Sequence, residues 1–251
     1  MKIEFKKSLK LRNKLFKHEH KLSIAWYMVA YAAMKNAHST KALKQKSKAV
    51  YTKIAQKTEQ QIEADLEELL EYTVAEFEKK TGLTVDDSVV SDIVAMVIAG
   101  ELYDSKWTLS KAVKGIDTKT EEVIAEIIEA GLEQGKSEDE IIQEILAVLN
   151  PTDDQYQKTY TTKTGKVYVP KTGAATDTLM RTTLEHGYQQ LIKHLAESLE
   201  EDHKKVMIRW ISALAHNTCE LCESRHNKLY KPEELPLEHP NGQCEFCIEY
   251  T

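Results

Sequence analysis

Four cysteines and one histidine near the end of the chain have the types and spacing for chemistry. Cys219 and Cys222 are two residues apart, Cys244 and Cys247 repeat that spacing, and His239 precedes the second pair. The chain has no other cysteine. A Cys-x2-Cys pair lets two thiolates from one tight turn point at a single ion, and a second pair tens of residues on closes a tetrahedron. Thiolates with imidazole in a small closed cage select zinc over magnesium or calcium. Five donors compete for four places, so three thiolates with one imidazole and four thiolates both satisfy the spacing. The expected set is Cys219, Cys222, His239 and Cys244, with Cys247 the alternative to His239. A pair of disulfides is the competing use of these cysteines and needs an oxidising compartment. The opening residues, Met1-Lys2-Ile3-Glu4-Phe5-Lys6-Lys7, lack the apolar run of a secretory segment. Structural zinc is the expectation.

Four protein ligands leave no coordination position for water, which makes such an ion structural and not catalytic; three would leave one open. His226-Asn227, between the two halves of the cluster, admits a rival chemistry, a His-Asn-His nuclease in which the zinc braces a separate divalent-ion site. General-base work needs a histidine whose second nitrogen is oriented by another group. The one other histidine at a convincing spacing is His239, which the zinc would claim. Thr164-Gly165-Lys166 lacks the further glycine and the following helix of a phosphate-cradling loop. No catalytic residue is assigned, and the chain is expected not to be an enzyme.

The same region carries a resemblance. Trp210-Ile211-Ser212-Ala213-Leu214, Thr218-Cys219-Glu220-Leu221-Cys222, Lys228-Leu229-Tyr230, and Pro236-Leu237-Glu238-His239-Pro240-Asn241 with Cys244 resemble the C-terminal signature of the phage Mu F-like minor head proteins. Upstream, Gly131 to Ile142 resembles the family's short helix pair, and Met180-Arg181-Thr182-Thr183-Leu184-Glu185 its Ala-Arg-Thr-Glu helix. Gly242 stands where the family has the first cysteine of His-Pro-x-Cys-x-Cys, no glutamate follows Arg181-Thr182, and Ala215-His216-Asn217 lacks the acid that usually precedes the knuckle. The resemblance covers roughly residues 120–247. It implies a head morphogenesis domain over 119–251, with an inserted hairpin at 151–176 and a zinc knuckle at 206–251, behind a helical domain over 1–118. It implies a virion protein at the capsid interior or portal vertex, made in the bacterial host cytoplasm and forming an oligomer or present in multiple copies per particle. Its partners would be portal and other capsid proteins, and its role head assembly and genome delivery. By the same resemblance, Arg181 would pin its helix to the knuckle or contact a partner. The rival is a zinc-braced nuclease or a toxin-like effector acting on nucleic acid.

Charge is split along the chain. Residues 1–60 hold 15 Lys and Arg against 3 Asp and Glu, a net of +12, while the remainder carries a net of −18. Such asymmetry marks contact with nucleic acid or an acidic partner surface, and a basic helix packed on its own acidic half uses the same physics. Lys41, Lys44, Lys46, Lys48 and Lys53 are the candidates for non-specific contact with double-stranded DNA. The longest apolar run, Leu22–Met34, is too short to span a bilayer, so no membrane partner is expected.

The positioning elements read as mainly α, ending in a small α+β module. Ile3, Phe5, Leu9, Leu15 and Phe16 suggest a first amphipathic helix, and Lys21–Asn36 a second that is apolar on nearly all sides. Thr40 opens the longest helix, apolar through Val50, Ile54, Ile62, Leu66, Leu69, Leu70, Val74 and Phe77, with Gly82 as its stop. The spacing is not strictly heptad, so a core face is expected and not a coiled-coil seam. Capping boxes are read at Thr84–Asp87 and Ser137–Glu140, and a cap at Thr120. Asn150-Pro151 ends the helix that follows Ser137. Tyr160–Val169 suggests a β-hairpin turning at Thr164-Gly165. Asp177 is read as the cap of a helix reaching Asp202, and Val206–Ile211 as a strand that feeds the knuckle.

Overall fold

The computed structural model describes residues 1–5, 15, 17–18, 40–100, 108–149, 160–161, 167–168, 172–200, 205–212, 218–239, 242 and 244–251, with backbone alone for 40–51, 54, 116–121, 146–149, 160–161, 167–168 and 172–177 among them. The expected helix at Lys21–Asn36 and the hairpin turn at Thr164-Gly165 lie outside these residues. The elements in order are β1 (Lys2–Glu4), α1 (Thr40–Thr81), α2 (Ser88–Ala99), α3 (Leu109–Glu133), α4 (Glu138–Leu149), β2 (Tyr160–Thr161), β3 (Val167–Tyr168), α5 (Thr172–Leu199), β4 (Val206–Ile211), α6 (Glu220–Arg225), β5 (Leu229–Tyr230) and β6 (Glu245–Tyr250). The fold is mostly helical, with a small antiparallel sheet near the C-terminus.

The residues group into two compact units. One comprises Met1–Leu15, Ile62–Leu109 and Leu179–Thr251; the other comprises Phe16–Gln61 and Ser110–Thr178. In the second, Val123, Ile124, Ile127 and Ile128 of α3 are buried together with Ile141 and Ile145 of α4. The two helices approach so closely that a Cβ on Gly131 would sit 2.5 Å from Ile141 Cγ1. Gly135, at φ +67°, supplies the left-handed residue that ends α3. Ser137 and Glu140 form the expected capping box: Glu140 Oε2 accepts from the Ser137 backbone N–H at 2.8 Å, and Ser137 Oγ accepts from the Glu140 N–H at 3.3 Å. β2 and β3 pair in the hairpin register, Tyr160 opposite Tyr168 and Thr161 opposite Val167.

The first unit holds the sheet, ordered β1-β6-β4-β5. Alternation sorts its faces. Val206, Ile208 and Trp210 of β4 oppose Tyr250, Ile248 and Phe246 of β6, and all six are buried. The other face presents Arg209, Glu249, Glu4 and Cys247. Arg209 grips Glu249 with two bonds, at 2.7 and 3.0 Å. That pairing holds the Glu249 carboxyl below its ordinary range. A depressed carboxyl pKa contributes stability above the unfolded value, near 4.5, and loses it as pH falls through the folded value. Glu249→Gln is therefore expected to cost on the order of 1 kcal/mol at neutral pH, and the gap from wild type should close in acid, as followed by urea unfolding at several pH values.

Four local expectations are corrected. Ile3 and Phe5 belong to an edge strand and its exit, not to a helix: β1 pairs with β6, placing Ile3 opposite Ile248. Ile3 and Phe5 fit period two as well as a helical stripe, and a partner over 240 residues away decides between them. Phe5 stacks on Phe77 of α1 at 6.4 Å, and the Tyr188 hydroxyl of α5 donates to the Phe5 carbonyl at 3.3 Å. Ile3 is 2 % exposed, so Ile3→Ala should cost about 2–5 kcal/mol in a denaturant titration, whereas Lys2→Ala, on the open face, should cost little. α3 begins at Leu109, eleven residues before Thr120, because Leu109 and Val113 are buried one turn apart. α5 begins at Thr172 and passes through Asp177. At α2 the first turn is held by Asp86 Oδ1 accepting from the Ser88 N–H at 2.8 Å, and Asp87 makes no side-chain cap.

The long helix α1 runs from Thr40 as expected and stops before Gly82, whose φ is +75°. Ile62, Leu66, Leu69, Leu70 and Phe77 form its buried face. Leu66 meets α5 at Gly187, where an added Cβ would lie 2.4 Å from Leu66 Cδ1. Among the described residues no helix is long and apolar enough to cross a membrane.

Candidate metal centre

The centre is built at the end of β4. β4 delivers Ser212, and the short helix α6 carries Cys222 inward while Cys219, its N-cap residue, stays exposed. Cys219 Sγ accepts from the Cys222 N–H at 3.4 Å. The Ser212 hydroxyl donates to the Cys222 carbonyl at 2.5 Å, tying the knuckle to the strand. Arg225 anchors the far side: its guanidinium lies 4.9 Å from the Trp210 ring and donates to the Leu237 carbonyl at 2.8 Å. The returning chain is held by Gln189 of α5, which donates to the Pro236 carbonyl at 2.6 Å and accepts from the Glu238 N–H at 3.1 Å.

These anchors bring donors together in two triads that share Cys222. Cys219, Cys222 and His239 form one, with His239 Nε2 at 3.2 Å from Cys219 Sγ and 3.1 Å from Cys222 Sγ. Cys222, Glu238 and Cys244 form the other, with the two sulfurs 3.4 Å apart. A tetrahedral zinc with ordinary bond lengths has S–N edges of about 3.6 Å and S–S edges of about 3.8 Å. Within each triad the donors stand near the spacing that a small cation requires, while Cys244 lies outside the Cys219–Cys222–His239 group. The four cysteines are free thiols, not disulfides.

Cys247 is elsewhere. It lies in β6 opposite Arg209 and Glu4, on the sheet face away from Phe246 and Ile248, and burial pushes its thiol up to about 11. His239 groups with Cys219 and Cys222, while Cys247 belongs to neither triad.

The thiols differ in character. The Cys222 N–H stabilises the Cys219 thiolate, and its pKa falls below the ordinary value despite partial desolvation. Burial pushes Cys222 up to about 11. Burial first and the Glu238 charge second push Cys244 far up. Buried thiols of this kind are poor ligands while protonated and become thiolates when a divalent ion supplies the compensating charge. The Cys/His groups could hold a metal ion.

Glu238 is the residue that spacing did not single out. It is 1 % exposed, its Oε1 accepts from the Cys244 N–H at 2.8 Å, and its Oε2 has no hydrogen-bond partner among the described residues. Nothing in the one-dimensional pattern distinguishes it from the exposed Glu233 and Glu234 nearby.

The remaining candidates are dispersed. His226 Nδ1 accepts from the Ser212 N–H at 3.2 Å, and Asn227 takes the left-handed conformation at φ 62° with its N–H on the Trp210 carbonyl. Both serve the turn from α6 into β5. Arg181 lies half-buried on α5. Lys53 is exposed on α1; Lys41, Lys44, Lys46 and Lys48 lie on the same helix, in the stretch described by backbone alone. No protein-family model, curated protein or solved structure matches this chain.

Proposed function

We propose that this chain is a non-enzymatic minor head protein of a tailed bacteriophage or prophage, whose C-terminal knuckle, residues 206–251, is closed by one structural zinc ion. The carrying observation is that the pieces behind the Mu F-like resemblance meet in space. The Trp210 strand pairs with the Tyr230 strand, and the Cys219–Cys222 knuckle and His239 form one donor group. An ion with four protein ligands has no vacant position for turnover, which favours a scaffold over a hydrolase. In this reading the protein acts at the portal vertex or capsid interior, binding portal and capsid proteins, and assists head assembly and DNA delivery. Its basic N-terminal region, with Lys41, Lys44, Lys46, Lys48 and Lys53, contacts packaged DNA without sequence preference.

Incubation with plasmid and magnesium tests this reading. Expected is DNA that is retarded and uncut, with binding that weakens steeply as salt rises, because counterion release dominates phosphate contacts. Nicked plasmid, abolished by His226→Ala, would establish the nuclease instead. Binding that ignores salt would remove the DNA contact.

A further inference from the structure

Cys222 and Cys244 of the cage are buried, His239 is half-buried, and Cys219 faces solvent. The outward thiolate is the donor that chelators, oxidants and alkylating agents reach first. On the inner side of the same cluster stands a carboxylate that hydrogen bonding leaves half unused. Glu238 is oriented from three directions: Gln189 fixes its backbone N–H, the Cys244 N–H fixes Oε1, and Gly242 closes over the carboxyl. A Cβ at Gly242 would lie 2.1 Å from Oε1 and 2.3 Å from Cδ, so only glycine leaves room for this side chain. Oε2 has no partner among the described residues, and a carboxylate oxygen of Glu238 lies within 4.8 Å of both the Cys222 and Cys244 sulfurs. Burying an unpaired carboxylate beside thiols is costly unless a cation compensates it.

We infer that Glu238 is a reserve oxygen ligand of the metal centre. Cys222, His239 and Cys244 hold the ion throughout, and the fourth position is filled by Cys219 from outside or by Glu238 from inside. The two triads share Cys222 alone, so His239 and Cys244 would close on the ion together only when it binds. The ion, a divalent cation of zinc type that accepts sulfur, nitrogen and oxygen donors, stays bound when the exposed thiolate is lost. This inference rests on the zinc reading above and adds to it one ligand and a route for exchange.

The test is a double-substitution cycle on the full chain, with cobalt as the spectroscopic probe and zinc affinity taken from chelator competition. Cys219→Ala should keep one ion per chain, with affinity reduced about 10- to 100-fold, the scale seen for a supporting ligand interaction. Its thiolate-to-cobalt absorption should fall from three thiolates to two. Glu238→Gln alone should weaken binding only slightly. In the Cys219→Ala background the same change should cost at least a further ~100-fold, a coupling that independent sites do not show. Gly242→Ala should act like Glu238→Gln in that background by displacing the carboxyl. As a control against misfolding of the doubly substituted chain, iodoacetamide is also applied to folded, cobalt-loaded wild type and Glu238→Gln. Wild type should retain its ion after Cys219 is alkylated, and Glu238→Gln should release it.

An equal effect of Glu238→Gln in both backgrounds would overturn the inference. So would loss of the ion from Cys219→Ala as complete as from Cys222→Ser. Wild-type protein without an ion would overturn the zinc reading itself, so the two failures are distinct.

Discussion

Replacing Cys222 with serine is expected to abolish zinc binding and unfold the C-terminal sheet. Cys222 is the donor shared by both triads, and its carbonyl also receives the Ser212 hydroxyl, so its loss breaks the cage and the seat of the knuckle together. Structural zinc in small finger units contributes on the order of 10 kcal/mol of folding energy at neutral pH. The elements it would fasten, α6, β5 and the run to His239, are short and present several exposed side chains, among them Leu221 and Leu229. Amide exchange should report the loss at β4 and β6, and a chelator should reproduce it in wild type. Unchanged protection in Cys222→Ser would mean that packing alone holds the module.

Trp210→Ala carries the second large effect, about 3–5 kcal/mol. Trp210 is fully buried between Phe246, edge-on at 5.1 Å, and Tyr230 at 6.4 Å, with the Arg225 guanidinium over its ring. The lost ring also frees Arg225, which holds the Leu237 carbonyl two residues before His239. Zinc affinity should therefore fall along with stability. Trp210→Phe separates packing from polarity. It keeps an aromatic ring against Phe246 and removes an indole N–H that has no partner in the described structure, so its cost should be well below that of alanine. Equal destabilisation by both substitutions, measured by thermal unfolding, would contradict this account of the tryptophan.

Much of the scaffold could be read before the structure. The limits of α1 followed from apolar spacing and Gly82, the start of α4 from the Ser137–Glu140 box, and β4 from strict alternation of Val206, Ile208 and Trp210. These are local signals, each decided within a turn or a few residues. What escaped depends on distant partners. β1 is a strand because β6 offers an edge, a fact that Lys2-Ile3-Glu4 cannot carry. The beginnings of α3 and α5 were placed at polar residues with capping chemistry, Thr120 and Asp177, that lie inside longer helices. At the metal centre, the cysteines and His239 were legible because ligand spacing is itself the signal. That Cys247 stands apart from the donor groups was not, since it turns on which sheet face Cys247 occupies. Glu238 was hidden for a related reason: burial and the glycine over its carboxyl give a carboxylate its role, and neither shows in residue type.

Zinc K-edge absorption on the purified full chain tests the central claim most directly. The account predicts one zinc per chain in a shell of three sulfurs at about 2.3 Å and one nitrogen at about 2.0–2.1 Å, unchanged by exchange of solvent. A chain without zinc, cysteines oxidised in pairs, or a shell containing an exchangeable water would contradict it.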